Sequence, residues 1–509
     1  MTLAHWYYVV EYKPRTRLLS AEPAVPFGGR RISAVDSGVH CPLRTAEILR
    51  FAQNDSMEGF SAAWREIGDN GQLTTDNGQP TTDDGQLPPL SCEWSWASGP
   101  PIETKANTSP PAKPGVHVRQ ELDSRSPARA EGKFRGNDVT FDGGPMRYSE
   151  LSTPALTIDL DTLERNLDRM ASSCRKQKVG LRPHTKTHKT PEVARMQLER
   201  GALGLTVAKV GEAEVMAEAG LDDILIAYPI LGAEKLRRLV TLARWRRIMV
   251  ALDSEAAAQE LFRATSEQGS TLGVLVEFDV GFHRCGLAPG PGCVELASKI
   301  AGMPGLSFRG LMTYFGNIRG SPEERRAGMQ VVAGKVERAL EAFRDAGLEV
   351  EIVSGGSTPS AEFSDLIPGL TEIRPGTYVY NDMNTFYQGA CRLEDCAARL
   401  VTTVVSTAVP GRAIIDAGSK ALSSDLLGAG LGSGYGYVVE APDAPIIKLN
   451  EEHGHLDITL SAHAFYVGEV LTVVPNHVCT CVSMHDEAFI LRNGMVAGSW
   501  RVAARGKIR

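Results

Sequence analysis

Reactive side chains crowd into one octapeptide, Arg182-Pro183-His184-Thr185-Lys186-Thr187-His188-Lys189. A lysine held partly desolvated at a strand end favours its neutral amine, the nucleophilic form a Schiff base requires. The plainer alternative is a surface turn with ordinary cations. A second segment, Val353-Ser354-Gly355-Gly356-Ser357-Thr358-Pro359, pairs two glycines with hydroxyl donors, and Glu372-Ile373-Arg374-Pro375-Gly376-Thr377-Tyr378 follows it. Adjacent glycines let backbone N–H groups come close to an anion, although a lone Gly-Gly-Ser is usually a turn. In Asp279-Val280-Gly281-Phe282-His283-Arg284-Cys285-Gly286-Leu287, Arg284 either holds an oxyanion or pairs with a carboxylate such as Asp279. Late in the chain, Pro475-Asn476-His477-Val478-Cys479 sets an imidazole and a thiol two residues apart. On an extended segment both face one side and can share an ion, and the pair suits zinc better than magnesium or calcium. Two protein donors are too few for a structural zinc site, so such an ion keeps open positions. Read alone, such a pair is more often an incidental one. His485, close downstream, is a further ligand, a base or a surface residue.

Positioning these groups requires a regular frame, and the chain offers one from Thr153 onward. Apolar runs predict strands at 178–185, 204–209, 223–228, 247–253, 272–279, 308–314, 349–354 and 373–380. Helical patterns at 191–200, 211–219, 234–245 and 322–346 lie between them. Eight strands with interposed helices have the count and size of a (β/α)8 TIM barrel, an α/β fold. Active sites of such barrels lie at the C-terminal strand ends, and the loops after strands 7 and 8 form their recurrent phosphate site. The octapeptide then follows the first strand, and the twin-glycine segment follows the seventh. Beyond Tyr380, strands at 400–409, 412–416, 458–463, 469–474 and 487–491 predict a C-terminal all-β domain. The strand 154–160, followed by a helix at 161–177 capped by Asp159 or Asp161, is a candidate to join that domain. The expected layout is a barrel over 150–385 and a β domain with a metal site over 386–509.

The first 145 residues are unlike the rest. A period of seven runs through GQLTTDN at 71–77, GQPTTDD at 78–84 and GQLPPL at 85–90. Such text cannot bury enough apolar surface to offset its chain entropy, so 1–145 is expected to be disordered. It is read either as a flexible extension or as sequence upstream of a true start at Met146, and no chemistry is assigned to it. The 509 residues carry 54 basic and 61 acidic side chains, a formal charge of −7, which gives no reason to expect nucleic acid or an anionic membrane as partner. No apolar run of about 18 residues predicts a spanning helix. The N-terminus lacks the basic-then-apolar pattern of a signal segment, and nine sparse cysteines do not look like a disulfide framework, so a cytoplasmic location is expected.

In order along the chain, TPALTIDLDTLERNL, RPHTKTHK, VEFDVGFHRCG, VSGGSTPS, TEIRPGTYVYND, DAGSKALSSD, EEHGHL and PNHVC resemble the D-threonine aldolase and eukaryotic-type D-serine dehydratase family. That family is related to alanine racemase in its barrel-plus-β-domain architecture (fold type III), and the resemblance covers about 150–509. It implies pyridoxal 5′-phosphate as cofactor with Lys186 as the Schiff-base lysine. It implies phosphate binding by Gly356, Ser357, Gly376 and Thr377, Arg284 facing the cofactor's phenolic oxygen, and Arg374 near the pyridine side. His477 and Cys479 are implied as ligands of a divalent metal, zinc first, with manganese or magnesium as alternatives. A small D-amino acid substrate and a homodimer are implied too. Two departures bear on the reaction. The aldolase branch usually carries His-x-Asp where this chain has His477-x-Cys479, and Phe315, after Tyr314, stands where typical aldolases have histidine.

The expected function is that of a lyase of D-β-hydroxy amino acids, of D-serine dehydratase type, giving pyruvate and ammonia. The alternatives are a D-threonine aldolase giving glycine and acetaldehyde, and an amino-acid racemase. A racemase needs a second base opposite Lys186, usually a tyrosine from the β domain, and works without metal. A non-catalytic cofactor carrier made of the barrel alone leaves the β domain and its His-x-Cys pair without a purpose. A protein with a structural metal and no cofactor would lack the visible absorbance of a Schiff base.

Overall fold

The computed structural model describes residues 146–428 and 432–509, so the expectations for 1–145 lie outside the described residues. Its first strand, β1 (Ala155–Asp159), leads into a helix, Leu160–Gln177, whose first turn is capped by the Asp159 carboxylate accepting from Thr162 N–H at 2.7 Å. Eight parallel strands follow: β2 (Gly180–Leu181), β3 (Leu205–Val207), β4 (Ile224–Ile226), β5 (Ile248–Leu252), β6 (Leu272–Glu277), β7 (Leu306–Met312), β8 (Ile352–Gly355) and β9 (Glu372–Ile373). Their spatial order is β2-β9-β8-β7-β6-β5-β4-β3. The two ends of that order meet: His184 and Thr206 form a parallel bridge, and Thr206 N–H donates to the Pro183 carbonyl at 2.8 Å. The result is the expected TIM-like parallel barrel.

Side-chain alternation explains how each strand serves two layers. On β5, Ile248, Val250 and Leu252 pack outward under the helices, while Met249 and Ala251 join Leu225, Leu275 and Met312 inside. The apolar interior is small, and Arg182, Glu277, Ser354, Glu372 and Arg374 are buried as well. The helices begin on ordinary stop-and-start chemistry. Pro322–Asp345, for instance, opens with Ser321 and Glu324 in a capping box and proline in its first turn.

The second sheet contains β10 (Ala398–Ser406), β11 (Arg412–Ile415), β12 (Gly436–Val438), β13 (Ile446–Leu449), β14 (Gly454–Asp457), β15 (Val470–Pro475), β16 (Glu487–Arg492) and β17 (Met495–Arg501). β1 lies among them, antiparallel to β10 and parallel to β16. One core cluster runs from Leu156, Ile158, Leu400 and Val473 in this sheet to Val193, Met196, Tyr378 and Tyr380 from the barrel side. No helix among the described residues is long and apolar enough to cross a membrane.

Three expectations are corrected. The run 373–380 is not one strand: Pro375 has no N–H to donate, and Thr377–Val379 closes a 3-10 turn, with Tyr380 N–H on the Thr377 carbonyl at 3.1 Å. The run 458–463 is a loop, because the Asp457 carboxylate takes both the N–H (3.1 Å) and the hydroxyl (2.7 Å) of Thr459 and turns the chain. Finally, the His477 segment is not extended. Val478–Met484 is a short helix with His477 at its N-cap, started by Val478 N–H donating to Asp382 Oδ2 at 3.0 Å.

Candidate active site

A cavity of about 510 Å³ opens at the C-terminal ends of the barrel strands. Lys186 enters it from the turn after β2, Arg284 from the loop after β6, Tyr314 from beyond β7, Gly356 and Ser357 from beyond β8, and Arg374, Gly376 and Thr377 from beyond β9. His477 and Cys479 reach the same cavity from the β domain. The nine residues that the resemblance implied as cofactor or metal contacts therefore line one space.

The two lysines of the octapeptide have opposite fates. Lys189 is buried and ion-paired with Glu212 at 2.7 Å, which fixes it as a structural cation. Lys186 is half-buried and its ammonium takes part in no ion pair among the described residues; it lies 6.0 Å from the centre of the Tyr314 ring. Its chain neighbours Thr185 and Thr187 are fully buried. His184 also lines the cavity, and burial, with Lys186 and Arg374 adding repulsion, holds its imidazole well below the usual range and therefore neutral. His188 is wholly buried, its Nδ1 accepting from Thr190 N–H at 3.1 Å, and burial pushes it down to about 3.

The loops after β8 and β9 form a cradle of backbone donors. The N–H groups of Gly356, Gly376 and Thr377 make no hydrogen bond within the chain among the described residues. Gly356 has φ +82°, and a Cβ there would lie 3.0 Å from the Ile373 side chain; one on Gly376 would lie 2.8 Å from Thr187 Oγ1. Glycine is thus required for the approach of these strands, and the free N–H groups fit a phosphate. Ser357 is turned partly inward, its N–H donating to Ser360 Oγ at 2.9 Å.

Arg284 does not pair with Asp279. That carboxylate instead holds His283 Nδ1 at 2.9 Å, and the Arg284 guanidinium sits over the Tyr314 ring at 4.7 Å and the Phe282 ring at 5.3 Å. Arg374 is buried against Ser354 Oγ (2.6 Å) and the Thr313 carbonyl (2.7 Å), and burial lowers it to about 10. Glu277, at the end of β6, shares this wall, and burial pushes its carboxyl up to about 7 against the pull of Arg374 and Arg284.

At the β-domain side, Asp382 is fully buried with Oδ2 3.4 Å from His477 Nδ1, leaving Nε2 as the free ring nitrogen. Cys479 Sγ lies 3.2 Å from Thr187 Oγ1. Burial opposes charge on both groups. The Cys479 thiolate and the Asp382 carboxylate nonetheless raise His477 to about 11, and His477 and Lys186 hold the Cys479 thiol below its ordinary value. The Cys479 sulfur beside the oriented His477 ring is a donor pair a zinc ion fits once it displaces their protons. Among the described residues no cluster of three or more His, Cys, Asp or Glu donors forms. His485 is elsewhere, its Nε2 on the Ala421 carbonyl at 3.0 Å.

Sequence reasoning missed Asp382, Glu277, Tyr314 and Thr187 as participants. Asp382 and Thr187 stand inside quoted motifs, but only folding brings them to His477 and Cys479. Phe315 is fully buried in the outer core, so it presents no base.

With the geometry in view, comparison with known proteins is informative. The family described as alanine racemase, N-terminal domain, matches residues 158–384, and a putative serine dehydratase domain matches 397–491. A D-threonine aldolase of Arthrobacter sp is 33% identical over 369 residues, covering 72% of this chain and 95% of the relative. A D-threo-3-hydroxyaspartate dehydratase of Delftia sp. (strain HT23) is 36% identical over 349 residues, 65% of this chain and 91% of the relative. The crystal structure of D-threonine aldolase from Filomicrobium marinum superposes with a TM-score of 0.67 at 34% identity, covering 72% of this chain and 99% of that one. The fold and site define a pyridoxal-phosphate enzyme of the alanine racemase-like class. Within it, the chain belongs to the D-threonine aldolase and D-serine dehydratase family of lyases.

Proposed function

We propose that this chain is a lyase of D-β-hydroxy amino acids that eliminates water from D-serine-type substrates, giving pyruvate and ammonia. The carrying observation is the meeting, in one cavity, of the Lys186 ammonium, unpaired among the described residues, with His477 and Cys479 from the other domain. Lys186 would hold pyridoxal 5′-phosphate, whose ring supplies an electron sink for the carbanion at Cα, with Gly356, Ser357, Gly376 and Thr377 on its phosphate. His477 Nε2 and Cys479 Sγ would hold a zinc ion, which supplies Lewis acidity toward a β-hydroxyl. The chain's own residues do the rest. Lys186 Nζ takes the proton from Cα, Asp382 fixes the His477 ring, and Arg284 and Arg374 hold the cofactor's polar edges. Loss of the Cα proton and the β-hydroxyl removes one water, and hydrolysis of the resulting enamine returns one water and releases ammonia.

Cys479 in the metal pair and the buried Phe315 favour elimination over retro-aldol cleavage, which would need a base for the hydroxyl proton. Identity to a D-threonine aldolase over most of the chain favours the second reading, cleavage to glycine and an aldehyde. Against a racemase, the β-domain residues that line the cavity among the described residues are His477 and Cys479, neither a tyrosine. The test is product analysis with D-serine and D-threonine in parallel, each with and without a chelator. Zinc-dependent pyruvate is the expected result. Glycine with acetaldehyde instead would establish the aldolase, and chelator-resistant formation of the L-isomer would establish the racemase.

A further inference from the structure

A line of buried polar groups runs through the barrel interior and ends at the cofactor cavity. Arg182 NH1 donates to Asp223 Oδ1 at 2.6 Å, and Arg182 Nε reaches both oxygens of Glu372, at 2.9 and 2.8 Å. Ser354 Oγ lies 2.7 Å from Glu372 Oε1 and 2.6 Å from Arg374 NH1. Ser354 is fully buried, Glu372 is 2% exposed, Arg182 4% and Arg374 6%. The line has room built for it, since a Cβ on Gly204 would sit 2.3 Å from Arg182 NH1.

Its polarity is fixed by elementary chemistry. A guanidinium can only donate and a carboxylate can only accept, so the single Ser354 proton points to Glu372 and its lone pair receives Arg374. Glu372 forms no ion pair with Arg374 among the described residues, and it is held in place by Arg182. A rival carboxyl, Glu277, lines the same cavity as Arg374. Without Ser354, one nitrogen of Arg374 would lose its partner in the barrel and could turn toward Glu277.

We propose that Ser354 and Glu372 are positioning residues: through Arg182 below and the serine hydroxyl above, they hold the Arg374 guanidinium in the orientation in which it meets the cofactor. This rests on the reading of the cavity as the pyridoxal 5′-phosphate site. A structural role alone would be met by any filling of the space, whereas a positioning role moves the cofactor's own signals.

The experiment uses the full chain, stripped of cofactor and titrated with pyridoxal 5′-phosphate, as wild type, Ser354→Ala, Glu372→Gln, Arg374→Lys and the Ser354→Ala/Arg374→Lys double variant. Ser354→Ala is expected to melt cooperatively and bind the cofactor with a displaced visible absorption maximum and a weaker Kd. Its kcat should fall by about 10- to 100-fold, the scale of a misplaced group, with KM changed much less. Glu372→Gln should move the spectrum in the same sense, and Ser354→Ala carries the test alone if the glutamine variant fails to fold. The double variant should be no worse than Arg374→Lys, because both changes break one line. A Ser354→Ala spectrum and Kd equal to wild type, or additive effects in the double variant, would overturn the proposal. A wild type that forms no visible band at all would overturn the cavity reading instead.

Discussion

At the scale of single residues, partnership rather than type separates function from support. Lys186 and Lys189 are three positions apart in one motif, yet among the described residues only Lys189 has a carboxylate. Lys186→Ala is therefore expected to fold normally and lose the visible band and turnover. Lys189→Ala should keep the band but lose about 3–5 kcal/mol of stability, because it strands Glu212 in the interior; thermal melts with absorbance spectra check both. Asp382→Asn should weaken zinc binding by about 10- to 100-fold, since the carboxylate at 3.4 Å orients the His477 ring, and zinc titration measures it. Glu277 gives a pH signature. Its folded-state value of about 7 lies above the ordinary 4.5 because burial disfavours the anion. The folded state therefore gains from the bound proton below about pH 4.5, and that gain is lost as pH rises through about 7. Melting of the cofactor-free wild type should fall relative to Glu277→Gln across that window and run parallel above it, by at most about 3 kcal/mol.

At the scale of elements, loop geometry is set by a few obligatory backbones. The loop after β8 turns at Gly356 with φ +82°, and any side chain there would press on Ile373 of β9 at 3.0 Å. Gly356→Ala is expected to cost about 1–2 kcal/mol and to weaken cofactor binding more than it lowers the melting temperature, read by fluorescence titration and calorimetry. Elements with strong local signals were legible in advance. The helix from Leu160 carries its own cap in Asp159, and Pro322 opens the long helix behind Ser321. The buried parallel strands read as apolar runs, but their ends did not: β9 stops at Ile373 because the following proline cannot continue a ladder. β12, β13, β14 and β17 were missed, being short or glycine-bearing stretches whose identity as strands depends on their partners.

At the scale of the whole molecule, neither half is self-sufficient. β1, which precedes the barrel in sequence, is paired on both sides by strands of the C-terminal sheet, and a single core cluster joins that sheet to Tyr378 and Tyr380. Residues 146–397 expressed alone should fail to melt cooperatively and should not bind zinc, since β1 would be unpaired and His477 and Cys479 absent. Residues 146–509 should retain both properties. Calorimetry and metal analysis of the two fragments decide the matter.

What the sequence determined by itself was the frame and the reactive inventory: apolar periodicity specifies barrel strands, and the octapeptide, the twin glycines and the His-x-Cys pair stand out by composition. Only the tertiary structure decided which lysine is ion-paired, that Arg284 lies on aromatic rings rather than on Asp279, and that His477 caps a helix with Asp382 behind it. The reason is physical. Periodicity and turn chemistry are local and survive in a one-dimensional text, whereas pairing, burial and the charge they impose arise between residues up to some three hundred positions apart, such as Thr187 and Cys479.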